Sequence, residues 1–422
     1  MEQLLHYVWK HKIFPLGELK TTTGQQVEII DTGLANTNAG PDFFNAKIKL
    51  DGVLWVGNIE IHQRSSDWFK HGHDRDVSYD SVILHIAAEV DVEVSRTNGE
   101  TIPQMQLSCP DAVRSNYNEL VETDSYPPCY RIIPSLSPFM VHSWMTALQS
   151  ERFEQKATSL SDRLKRCQDN WEDAFFVTLA RNFGFGLNGD AFEAWAQRIP
   201  LRAVDKHRND LFQIEAIFFG QAGLLEDAEG DDYYLRLKKE YTYLQHKFEL
   251  VPMQASQWRF LRLRPTNFPH IRIAQLACLY HRAYGLLSRI METETLQGVR
   301  DILRGGTSEY WLTHYTFGGC SPSRPKTLSN SSLDLLIINT VVTFLYTYGI
   351  HKGNEMLCTR ASNFLEEIKA ENNYITRMWD QCGIKAANAA DSQALIQLKK
   401  EYCDKKKCLY CRIGYEYLKR KC

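Results

Sequence analysis

Apolar and polar residues alternate with period two from Phe44 to Leu50: Phe44, Ala46, Ile48 and Leu50 lie against Asn45, Lys47 and Lys49. That period predicts a half-buried strand. Asp51-Gly52 is a two-residue hairpin signal. The returning run puts Leu54, Val56, Asn58, Glu60 and His62 on one face, and Trp55, Gly57, Ile59 and Ile61 on the other. Upstream, residues 2–13 read as an amphipathic helix and 24–31 as a strand. Downstream, a helix is expected within 65–80 and a strand over 82–91. Asn98-Gly99 predicts a second hairpin joining 90–96 to 101–108, with Pro103 confining the latter to a sheet edge.

After the Pro- and Ser-rich stretch 125–138 (SYPPCYRIIPSLSP) the period changes to that of helices. Helices are expected over 139–167, 171–183, 190–198, 209–224, 232–248, 255–263 and 270–291, with a last helical block over 332–377. The expected fold class is α+β: an N-terminal mixed sheet with flanking helices, followed by a mostly α-helical region. Three parts follow: 1–124, an α/β domain; 139–300, a helical domain; and 301–422, a helical region ending in a cysteine-rich knuckle.

Composition narrows the class. The chain has 422 residues, 44% of them hydrophobic and 24% charged, as in ordinary globular proteins. A net charge of −2 excludes a surface that is basic throughout, but not a local basic patch. The first apolar run is short and broken by His6 and Lys10, unlike a secretory signal. The apolar run 332–350 contains Asp334 and Asn339 and is expected as a buried core helix, so no membrane partner is implied. Eleven cysteines without such a signal point to a reducing, cytoplasmic setting, where clustered thiols indicate metal more often than disulfides.

Candidate chemistry gathers at the first hairpin. Glu60 and His62 share a strand face, and Asp42 sits where the partner strand begins. Two neighbouring carboxylates repel, and a divalent cation removes the repulsion. Asp42 and Glu60 are therefore candidate ligands for Mg²⁺ or Mn²⁺, with His62 placed to orient or deprotonate water. The segment that follows adds His71, His73, Asp76 and Tyr79. Of these, His73 and Tyr79 are candidate catalytic groups, and His71, His73 and Asp76 form an alternative zinc-binding set. Ser65-Ser66-Asp67 can cap a helix start. His85, inside an apolar run, is expected as a core histidine bonded to the backbone.

Pro41-Asp42, a hairpin, then Glu60-Ile61-His62 resembles the PD-(D/E)xK nuclease pattern, with His62 where that pattern has lysine. The order of expected elements over the first 110 or so residues is similar to that superfamily's core of helix, three strands, helix and strand. The resemblance implies a metal-dependent nuclease that hydrolyses phosphodiester bonds, with nucleic acid as partner. The stretches AGPDFFNAKI, GNIEIHQRSSDW, HGHDRDVSYDSVILH, RNFGFGLN, EAIFFGQAGLL, RPTNFPHIRIAQLA and YCDKKKCLYCRIG also resemble, over the full length, an uncharacterised bacterial family known only as a domain of unknown function. That likeness implies no particular reaction.

The last chemical cluster is Cys403-x₄-Cys408-x₂-Cys411. Thiolates two residues apart grip one metal from a tight turn. Cys382 is the expected fourth ligand, with Cys422 or Cys358 as substitutes, and the centre is Zn²⁺ or a [4Fe–4S] cluster. Lysines, arginines and tyrosines surround this knuckle, and Arg262, Arg264 and Arg272 cluster in a Pro-rich loop. Either group suits a nucleic-acid backbone or a solvated surface. A zinc hydrolase built on His71, His73 and Asp76, or a non-catalytic nucleic-acid-binding or scaffold protein, are the competing functional readings.

Overall fold

The computed structural model describes residues 2–14, 19–123 and 126–420. The expected boundary at residue 124, and Cys422, fall outside them. The chain forms two compact units. One comprises Met1–Trp144, Gln381–Ile384 and Leu398–Cys422; the other comprises Met145–Asp380 and Lys385–Gln397. The first is α+β and the second helical, and residues of 301–422 contribute to both.

In the first unit, helix α1 (Glu2–Lys10) precedes strands β1 (Val27–Asp31), β2 (Leu34–Ala35), β3 (Phe43–Leu50) and β4 (Val53–Arg64). Short helix α2 (Asp67–Lys70), strands β5 (Val82–Glu89) and β6 (Gln104–Gln106), and helix α3 (Asp111–Glu122) follow. The sheet order is β1-β3-β4-β5-β6, with β2 also on β3. The hairpin forms at Asp51-Gly52, both at positive φ. Near the turn Leu50 faces Val53 and Ala46 faces Gly57, but farther on Phe43 faces Ile59. The one-residue shift is a β-bulge across Phe44 and Asn45, with Asn45 left-handed at φ 55°. The bulge overturns the simple alternation read from the sequence: Phe43, not Phe44, is buried. It also sets Asp42 opposite Glu60 when that register is continued.

Strand β5 runs parallel to β4. Parallel neighbours need a crossover, which residues 65–81 supply as α2 and two 3₁₀ turns, His73–Arg75 and Val77–Tyr79. Beyond β5 the structure departs from the expected antiparallel extension. A short hairpin forms at Asn98-Gly99, with Ser95 bridged to Thr101 and backbone bonds from Arg96 N to Glu100 O at 2.9 Å and from Ile102 N to Val94 O at 3.0 Å, but β6 then joins β5 in parallel at the sheet edge. Asp91 and Val92 are held by a side chain: Ser65 Oγ accepts from their amides, at 3.0 and 2.9 Å.

The helical unit follows the apolar pattern closely at Trp171–Phe183, Leu211–Gln221 and Asp232–Phe248, each opened by an Asn or Asp side-chain cap. Two segments differ from expectation. Residues 255–263 hold only a 3₁₀ turn, Ala255–Gln257, and Arg262 is left-handed at φ 66°. The segment 270–291 is two helices, Pro269–Arg282 and Leu286–Glu292, parted at Gly285 with φ 57°. The apolar stretch Asn330–Lys352 is mostly buried. Its Asn339 accepts from Lys156 Nζ at 3.1 Å and donates to Leu335 O at 2.9 Å, so the polar interruption is satisfied within the core.

Where β4 meets β5, Gly57 leaves room for the chain that ends the crossover. A Cβ there would lie 2.3 Å from Ile83 Cγ2 and 2.9 Å from Ser81 O. The Ile83 methyl can turn aside, but the Ser81 carbonyl belongs to the backbone. Gly57→Ala should therefore lower stability by about 1–3 kcal/mol, read as a fall in the urea midpoint at unchanged slope.

Candidate metal centre

Strand alternation puts Glu60 and His62 on one face of β4. The parallel register places His85 of β5 level with Glu60, and the bulge in β3 brings Asp42 to the same end. The crossover closes over this polar face. Trp68 of α2, fully buried, meets the rings of His73 and His85 edge-on at centroid distances of 5.3 and 5.4 Å. Tyr79 stacks on His73 at 3.7 Å.

The two carboxylates are locked by an exchange of backbone bonds. The Asp42 amide donates to Glu60 Oε2 at 3.1 Å, and the Ile61 amide donates to Asp42 Oδ2 at 2.9 Å. His6 Nε2 of α1 lies 3.4 Å from Asp42 Oδ2. Glu60 Oε1 lies 3.5 Å from His62 Nε2 and 3.3 Å from His73 Nε2. His62 Nε2 is 3.1 Å from His71 Nδ1, and His62 Nδ1 is 2.9 Å from His85 Nε2. The ligating atoms of His62, His71 and His73 all lie within 4.8 Å of one another. Glu60, His62 and His73 are buried, whereas His71 stands at the solvent edge.

Burial governs the charge states. It pushes the Glu60 carboxyl up to about 9, with the Asp42 charge adding to the rise. Burial likewise raises Asp42, against the pull of His6 and the Ile61 amide. His62 is driven down to about 2 by burial and then by the other three imidazoles, and His85 to about 3, chiefly by burial. His73 is lowered by burial against the attraction of Asp42. Burial thus favours the neutral form of His62, His73 and His85 around a Glu60 carboxyl that holds its proton, whereas a carboxyl in water is ionised.

Distances test whether the set fits an ion. A tetrahedral ion with N and O ligands at about 2.0–2.1 Å separates them by about 3.3–3.4 Å. Three contacts approach that value, Glu60 to His62 at 3.5 Å, Glu60 to His73 at 3.3 Å and His62 to His71 at 3.1 Å, and the three imidazoles lie within 4.8 Å of one another. Neutral imidazoles are the ligating form, and a dication would restore the Glu60 charge. His85, 2.9 Å from His62 Nδ1, would then orient that ring.

The predicted residues divide accordingly. Asp42, Glu60, His62 and His73 converge as expected, and His71 joins them. Asp76 does not: its Oδ1 accepts from Ser78 N and Oγ, at 2.9 and 2.7 Å, capping the second 3₁₀ turn. In place of His71, His73 and Asp76, the group among the described residues that could hold an ion is His62, His71 and His73. Tyr79 holds a positioning place, stacked on His73, with its phenol pushed up to about 12 by burial and then by Glu60 and Asp42. His85 bonds an imidazole rather than the backbone. His6 and Trp68 were missed, because a helical histidine and a buried indole carry no local signal of a site. Asp67, read as a possible cap, accepts from the Arg64 amide at 3.1 Å.

Elsewhere, several cations expected to be available are engaged. Lys419 pairs with Glu416 at 2.7 Å, and Lys399 with Asp404 at 2.6 Å. Arg272 is buried, donating to Gln275 and Asn267. Arg412 donates to Ser143 at 2.7 Å.

The fold and site define an α+β protein with an imidazole–carboxylate cluster beneath a crossover between parallel strands. The family model described as "Protein of unknown function (DUF2851)" matches residues 2–374, and the chain belongs to that family. No curated protein and no solved structure matches the chain, so the PD-(D/E)xK resemblance finds no support in the comparisons.

The charge states carry a sign. The unfolded chain releases the Glu60 proton near 4.5, the folded chain only near 9. Below about 6.5 the unfolded chain also protonates His62, His73 and His85, whose imidazoles burial keeps neutral in the fold, and this opposes the Glu60 effect; between about 6.5 and 9 Glu60 acts without that opposition, the folded state binds more protons, and metal-free protein should lose stability as pH rises. Urea melts of metal-free protein at a series of pH values should show this fall, and Glu60→Gln should flatten it.

Proposed function

We propose that the protein is a metal-dependent hydrolase acting on phosphodiester bonds of nucleic acid. The observation that carries the reading is the convergence of His62, His71 and His73, whose ligating atoms lie within 4.8 Å of one another, with Glu60 Oε1 at 3.5 and 3.3 Å from His62 and His73. In this reading Glu60, His62 and His73 are the buried ligands, and His71 closes the solvent side. Imidazole-rich sites suit Zn²⁺ better than Mg²⁺, which keeps oxygen ligands. An ion held there would acidify a bound water and neutralise charge on the phosphate.

The chain's own groups then have distinct parts. Asp42, held by the Ile61 amide and His6, is the carboxylate placed to accept the proton of the attacking water. His85 fixes His62 through its Nδ1, leaving Nε2 as the ligating atom. Tyr79 and Trp68 keep the His73 ring in place. Support for nucleic acid as substrate comes from the element order α1, β1, β3, β4, α2, β5, which follows the order of the PD-(D/E)xK core. A zinc hydrolase of another substrate uses the same ligands, and the three imidazoles favour it equally.

Labelled single- and double-stranded DNA and RNA, incubated with Mn²⁺, Zn²⁺ or Mg²⁺, test the reading. Cleavage should be supported by Mn²⁺ or Zn²⁺ and stopped by chelator. Asp42→Ala should reduce the rate by about 10²–10⁴-fold, and Glu60→Gln by a similar factor. Absence of cleavage with every ion, or equal cleavage by Asp42→Ala, removes the nuclease assignment. Titration calorimetry should show His85→Ala binding Zn²⁺ about 10–100-fold more weakly than wild type.

A further inference from the structure

Cys382, Cys403, Cys408 and Cys411, read from the sequence as a metal knuckle, do not gather as the histidines do. Among the described residues, the group with ligating atoms within 4.8 Å of one another is His62, His71 and His73. A different thiol has a chemical partner. It lies in the helical unit, where the helix Tyr310–Thr313 leads into a short antiparallel ladder. Ser321 N donates to Thr313 O at 2.7 Å, Arg324 N donates to Leu312 O at 2.9 Å, and His314 and Cys320 are bridge partners. The turn between them carries Gly318, at φ 76°, and then Gly319. Gly318 N donates to Asp231 Oδ2 and to Tyr310 Oη, both at 3.2 Å, and Tyr310 Oη donates to Asp231 Oδ2 at 2.6 Å. Backbone pairing and a fastened turn thus set Cys320 across from His314.

The imidazole is fixed in plane and in tautomer. His314 stacks on Tyr310 at 3.9 Å, with 5° between the rings, and Tyr310 stacks on Tyr233 at 3.9 Å and 11°. Tyr233 donates to the buried Glu215 at 2.6 Å, which anchors this column of rings in the core. His314 Nδ1 lies 2.8 Å from Tyr310 O, with Thr313 Oγ1 at 3.0 Å on the same side. A carbonyl only accepts, so Nδ1 carries the hydrogen and Nε2 of the neutral ring keeps its lone pair. Nε2 stands 3.4 Å from Cys320 Sγ. A thiol, a base within reach of it, and a third group that orients the base make up an activated nucleophile.

Access and space are both present. Among the described cysteines Cys320 is the exposed one, and the others are buried or half-buried. His314 also lines a cavity of about 610 Å³, together with Phe212, Tyr233, Tyr310 and Thr313. A small group joined to Sγ therefore has an aromatic-lined space close by.

We propose that Cys320 is a thiol-exchange site, with His314 as its base, that takes up half of a low-molecular-weight disulfide. The Sγ proton passes to His314 Nε2 as the sulfur attacks one sulfur of the reagent. The bond from Cys320 Sγ to that sulfur forms, the reagent's own S–S bond breaks, and the departing thiolate takes the proton from His314. Cys320 is oxidised to a mixed disulfide, and the departing half is reduced to a thiol. The site is independent of the histidine cluster on β4 and of its reaction.

The test treats the reduced full chain with hydroxyethyl disulfide at neutral pH, stops the reaction with acid and maps the adduct by mass spectrometry of peptides. Cys320 should react about tenfold faster than N-acetylcysteine under the same conditions. His314→Phe keeps a ring to stack on Tyr310 but has no base, and should slow Cys320 to the rate of the free thiol. Cys320→Ser should abolish the fast phase. Should His314→Phe fail to fold, the comparison of wild type with N-acetylcysteine decides alone. Reaction of wild-type Cys320 no faster than the free thiol, equal rates in wild type and a folded His314→Phe, or a fast phase that persists in Cys320→Ser overturns the proposal.

Discussion

One residue of register decides this site. Side chains of a strand alternate faces, so a slip of one position carries a side chain through the sheet. Without the bulge at Phe44 and Asn45, the hairpin register of Leu50 with Val53 would pair Asp42 with Ile61. Asp42 would then face away from Glu60. The bulge returns it to the side of Glu60 and His62, and the exchanged bonds between Asp42 N and Glu60, and between Ile61 N and Asp42, hold it there. His6, His73 and Tyr79 all take their places relative to that pair.

Such a cluster opposes folding. Carboxyl groups and imidazoles are taken from water and set against one another under Trp68, where neither charge form is well solvated. Apolar residues on the other face of the same strands, Phe43, Ala46, Ile59 and Ile61, are fully or almost fully buried and supply the offsetting stability. A sheet that spends stability on a polar, proton-holding cavity at one end has the character of a functional site rather than of packing.

The crossover between β4 and β5 ties topology to chemistry. Parallel pairing forces the chain to leave the sheet and come back, and the excursion carries Trp68, His71, His73 and Tyr79 over the polar face. The room for its return is made by Gly57. Docking of the segment 398–420 follows a similar logic over a longer sequence distance. Tyr126 reaches Asp404, and Asn116 donates to the carbonyls of Leu418 and Arg420 at 3.3 and 3.0 Å, so segments far apart in sequence share one unit.

Local patterns in the chain were enough for much of this. Period two and Asp51-Gly52 give the β3–β4 hairpin, because pleat and turn chemistry act between near neighbours. Asn170, Asp210 and Asp231 cap the helices that follow them for the same reason. The gathering of Asp42, Glu60, His62 and His73 was legible because all four lie within one hairpin and its crossover. Long-range placement was not. The bulge, the parallel seat of β6, the bond from His85 to His62 and the capping role of Asp76 depend on which surfaces meet. Sequence by itself determined the α+β class and the chemically able residues, since propensity, alternation and turn signals are local. Only the tertiary structure decided which of those residues share a site, because that follows from register and docking between segments that carry no mark of their partners.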